Sequence, residues 1–149
     1  MPYDPYAPTQ AERSGIYTTV WIAFAASLVM LSGKLGMFGN QLADFAALIV
    51  GVHLVVVTLG NRFDEHFIRL RNFGSVCAVA VIGLWLTVLG LARVFNVSHG
   101  AGHAVTAGGH PVTDALRLPL GFDHASLVLG FASVAFYAGF AVAYWRSNR

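Results

Sequence analysis

The stretch "HGAGHAVTAGGHPVTD" (residues 99–114) is where side chains able to do chemistry crowd together. His99, His103 and His110, with Asp114 and the later His124, offer nitrogen and oxygen donors of the kind zinc, copper or nickel accept. A metal bound there requires neutral imidazoles, because protons compete for the same ring nitrogens. His99 and His103 are four residues apart and share a face if the segment is helical. The interleaved glycines oppose a helix, so the stretch reads as a solvated connector, with a divalent-metal site as the sharp alternative.

A second position stands out by isolation. His53, in "LIVGVHLVVVTLG", is the one histidine deep within an apolar run. Ionisable groups at such depth are costly and are functional candidates by default. A haem held by two histidines needs a second one at similar depth, and the sequence supplies none. A tetrapyrrole metal with a single histidine ligand remains open, as does a quinone or proton-relay role completed by a partner. The plain alternative is an interhelical hydrogen bond to a hydroxyl or carbonyl.

Other catalytic templates are missing. There is no HExxH, no nucleophile elbow, no phosphate-cradling glycine loop and no intramembrane carboxylate pair. The single cysteine, Cys77, excludes an internal disulfide and sits among apolar neighbours. The chain is therefore expected to be non-catalytic and, in the leading reading, without a cofactor.

The elements that must position these residues are apolar. Of the 149 residues, 56% are hydrophobic and 11% charged, against roughly 25% charged in soluble domains. The mean hydropathy is +0.65. Four long apolar runs (Ser14 to Gly33, Phe45 to Asn61, Asn72 to Ala92, Ala125 to Trp145) match the roughly 17–25 residues that cross a hydrocarbon core. The expected fold is an all-α integral membrane domain spanning 1–149. It is a four-transmembrane-helix bundle with helices near 15–37, 42–61, 70–95 and 122–146. A proline-bearing tail (1–14) precedes it, and a long extramembrane loop (93–123) joins helices three and four.

Arg13, Arg62, Arg69, Arg71, Arg146 and Arg149 fall on one side; Lys34, Arg93 and Arg117 fall on the other. The positive-inside rule then places both termini in the cytoplasm. Tyr17, Trp21, Tyr144 and Trp145 fit an aromatic belt on that same side. Arginine outnumbers lysine, which matches GC-rich bacterial coding and suggests a bacterial inner membrane. The second loop, "RFDEHFIRLR", carries Phe63, Phe67 and Leu70 on one face and Glu65 four residues before Arg69. It is expected to lie on the interface or to extend helix three, with His66 solvated. Asp123 is a candidate N-cap for helix four.

Small residues recur at helical spacing: Ala135, Gly139 and Ala143 in the fourth run, which also holds Ser126 and Gly130, Gly83 and Gly90 in the third, Ser32 and Gly36 in the first. Such stripes let helix backbones approach closely. With the aromatic knobs Phe131, Phe136 and Phe140, they exceed what one bundle can bury. A lipid- or partner-facing set must remain. The leading expectation is a non-catalytic accessory subunit of a multi-subunit inner-membrane complex of the energy-transducing kind. Its partners are other integral membrane subunits and the bilayer, with no nucleic acid. Two alternatives stay open: a cofactor- or metal-binding membrane protein using His53 or the His99, His103 and His110 loop, and a small oligomeric channel or transporter.

Overall fold

The computed structural model describes residues 9–37, 40–60, 63–106 and 125–149. Its order is α1 (Gln10–Lys34), α2 (Asn40–Leu59), α3 (Glu65–Thr106) and α4 (Ala125–Ser147). All four helices are long and apolar enough to span a membrane, and together they form an all-α membrane bundle.

The packing order differs from the chain order. α2 lies on α1, α1 also packs on α4, and α4 packs on α3. The consecutive helices α2 and α3 thus flank a central pair. They meet where Arg71 Nη1 donates to the carbonyl of Val57 (3.2 Å). Tyr17 packs on Tyr144 (5.5 Å between ring centroids) and Trp21 on Tyr144 (6.3 Å), which puts the expected aromatic belt at one end. The core beneath that end is aromatic: Phe67, Phe136, Tyr137 and Phe140 are buried with Val20, Val50 and Val57.

Local chemistry sets the helix ends. Gly36, at φ +82°, closes α1; its N–H donates to the Gly33 carbonyl and the Met37 N–H reaches back to Ser32 (3.0 Å each). This is a Schellman cap, which needs a residue tolerant of positive φ. Gly36 therefore terminates a helix, and the expectation that it pairs with Ser32 in a packing stripe is corrected. Lys34 and Asp44 form an ion pair (2.7 Å) across the turn that follows.

At the start of α3, Asp64 Oδ1 accepts from the Phe67 N–H (2.8 Å), a side-chain N-cap. The amphipathic "RFDEHFIRLR" segment extends helix three, one of the two outcomes expected. Phe67 and Leu70 are buried by it, and Glu65 lies 3.9 Å from Arg69.

The largest departure is at the other end of α3. The helix runs for 42 residues, about 63 Å at 1.5 Å per residue. The apolar span stops at Ala92, and the hydrocarbon core is only about 30 Å thick. The remainder, through Thr106, continues as helix where a loop from Arg93 was expected. Gly100 and Gly102 oppose it most, at about 1 kcal/mol each. Extending a helix that has already nucleated avoids the larger cost of starting one. Asp123 and the rest of 107–124 lie outside the described residues.

Candidate functional site

His53 sits on α2 about 9 Å from its Leu59 end, counting 1.5 Å per residue. Its Nδ1 lies 2.9 Å from the hydroxyl of Tyr137 on α4. Tyr137 is 1% exposed and is wedged by Phe136 (5.1 Å) and Phe24 of α1 (6.3 Å). Three helices thus hold one polar pair.

Proton bookkeeping selects the donor. His53 Nε2 is buried and has no partner among the described residues. If Tyr137 O–H donates to Nδ1, the ring proton sits on Nε2 and one donor is unsatisfied. If instead Nδ1–H donates to the tyrosine oxygen, both the Tyr137 proton and the Nε2 lone pair go unmet. The first arrangement leaves fewer orphaned groups and is favoured. It presents a buried N–H suited to a hydrogen-bond acceptor. Metal ligation by Nε2 requires the other tautomer, with Tyr137 steadying the ring as a second partner.

Among the described residues, the remaining buried polar side chains are satisfied within their own helices. Ser27 Oγ donates to Phe24 O (2.7 Å) and Ser133 Oγ to Leu129 O (2.7 Å). His53 Nε2 is the exception. Sequence reasoning singled out His53 but did not name Tyr137. The missed signal was position: Tyr137 lies midway along α4, far from either end.

His99 and His103 lie on α3 beyond the membrane span, at i and i+4 of one continuous helix. The glycine objection to that spacing is corrected by the fold. His110, Asp114 and His124 lie outside the described residues, among which no group of three or more histidine, cysteine, aspartate or glutamate side chains gathers. His66 belongs to the first turn of α3 and is exposed. Its Nε2 lies 3.4 Å from Ser147 Oγ, whose own proton goes to Tyr144 O (2.8 Å).

Comparison with family models, curated proteins and solved structures yields no match. The residues alone carry the functional reading.

The His53–Tyr137 contact has a measurable consequence. Tyr137→Phe strands both ring nitrogens and is expected to cost about 0.6 kcal/mol, with an upper bound near 1.7. A cycle with His53→Leu, read by detergent-titrated unfolding, should return a coupling of that size. A coupling of zero shows that the bond contributes nothing to stability.

Proposed function

We propose that this chain is a non-catalytic accessory subunit of a multi-subunit bacterial inner-membrane assembly, with both termini in the cytoplasm. The observation that carries the reading is the outer face of α3. Of its most apolar stretch, 6% is buried inside the fold, against 50% for α4. Along that face Val76, Ala80, Gly83, Thr87, Gly90 and Val94 recur alternately four and three residues apart, and all are exposed. This is the spacing of a left-handed helix–helix seam.

Its centre is built of small residues, and a Cβ added at Gly83 or Gly90 meets nothing within 4 Å. Lipid tails gain nothing from such a groove, whereas a partner helix gains close backbone approach. Two glycines of α4 are used internally: Gly130 against Leu31 of α1, Gly139 against Cys77 and Gly74 of α3.

The test is co-purification in mild detergent through a cleavable tag. Wild type is expected to bring membrane partners with it. The Gly83→Leu/Gly90→Leu variant should lose them while keeping its helical content, since both positions open outward. A wild-type chain that purifies alone as a monomer overturns the subunit reading. Partners retained by the double variant remove α3 as the contact.

A further inference from the structure

The arginine-rich end of the bundle carries a groove of about 380 Å³ between the start of α3 and the end of α4. Its rim is polar, with Arg69 and His66 from α3 facing Arg146 and Ser147 from α4; its floor is apolar, made by Leu70, Phe73 and Ala143. From the groove geometry we propose that it binds an anionic phospholipid of the surrounding bilayer. The phosphodiester head lies between Arg69 and Arg146, and an acyl chain lies on Phe73.

Three observations converge on that occupant. The first is charge: among the described residues, no carboxylate lines the groove. Glu65 reaches Arg69 only at 3.9 Å, with both side chains largely exposed, so this pair is weak and leaves the guanidinium available. Among the described residues, the other arginines of this end are engaged elsewhere: Arg71 on the Val57 carbonyl, Arg149 over the Trp145 ring at 5.6 Å. Arg69 and Arg146 therefore set the sign of the groove. The N-terminal dipole of α3 and the C-terminal dipole of α4 meet here and oppose one another.

The second observation is polarity along the groove. A free phosphate or a soluble anion has no use for an apolar floor, whereas a lipid presents head and tail in that order. The third is continuity. Phe73 is 41% exposed. The floor thus opens at the bundle surface beside Phe73, where a tail continues into the bilayer. Trp145 and Tyr144 beside it mark the level at which headgroups sit. Basic pockets between helices at this level are a recognised mode of headgroup binding.

The experiment uses the isolated full-length chain in mild detergent, so it is independent of any partner. Native mass spectrometry would follow titration with dioleoyl phosphatidylglycerol or dioleoyl phosphatidylcholine, and with phosphatidylglycerol in the presence of inorganic phosphate. At about 1 kcal/mol per arginine, wild type should favour the anionic lipid by roughly thirty-fold. Arg69→Gln/Arg146→Gln should erase that preference, and each single variant should reduce it about five-fold. Arg149→Gln, outside the groove, should keep it. Circular dichroism checks the fold, and the single variants carry the test if the double variant does not fold. Equal binding of the two lipids by wild type overturns the proposal. So does a double variant that keeps the preference, and displacement of the lipid by inorganic phosphate identifies a soluble-anion site instead.

Discussion

Gly139→Leu is expected to part α3 from α4 and to cost about 3 kcal/mol or more, the upper range for overpacking. At Gly139 an added Cβ meets Cys77 Sγ at 2.7 Å, Cys77 Cβ at 3.1 Å and Gly74 Cα at 3.2 Å. Two of these atoms are fixed to the facing helix close to its backbone and cannot swing away. The same crossing is tight from the other side, where a Cβ on Gly74 meets the Phe136 carbonyl at 2.6 Å. Even Gly139→Ala should therefore destabilise, by about 2 kcal/mol. Gly83→Ala provides the contrast. It lies on the same α3 but in open space, so alanine should stabilise the isolated chain by up to about 1 kcal/mol through helix propensity alone. Unfolding titrations of both variants in mixed micelles decide the matter. Equal effects at positions 83 and 139 contradict this account of the α3–α4 crossing.

Phe67→Ala should cost about 3 kcal/mol, the low end of the range for removing a buried aromatic ring. Phe67 is 2% exposed and joins three helices at the aromatic end of the core. Its ring stacks on Phe63 (4.6 Å) and contacts Phe140 of α4 (5.3 Å) and Tyr17 of α1 (5.7 Å). Within a bilayer the unfolded reference is also apolar, so the loss is one of packing and cavity formation and not of transfer from water. Phe45→Ala supplies the comparison. That ring is 64% exposed on α2, and its removal should stay within about 0.5 kcal/mol. The same unfolding titration measures both, and a similar cost at the two positions would show that burial does not set the energetics.

Each apolar run announces its own span, because length and hydropathy are local sums that do not depend on which neighbour a helix meets. The four helices, the isolation of His53 and the amphipathic start of α3 were legible for that reason. The shared face of Phe67 and Leu70 followed from their spacing, whereas its burial in the core did not.

What glycine does was not legible. Gly36, Gly139 and Gly83 look alike in sequence, yet one caps a helix at positive φ, one lets two backbones cross, and one faces outward. Glycine has no side chain whose polarity could report its surroundings, so only the rotation of each helix against its neighbours separates the three roles. The partner of His53 was hidden for a related reason. Residues 53 and 137 come within hydrogen-bond reach only in the assembled bundle, where α2 and α4 both pack on α1. No local pattern encodes that packing. The extension of α3 through Gly100 and Gly102 was likewise decided by cooperativity, since their propensity argues for a break while the helix behind them makes continuation the smaller cost.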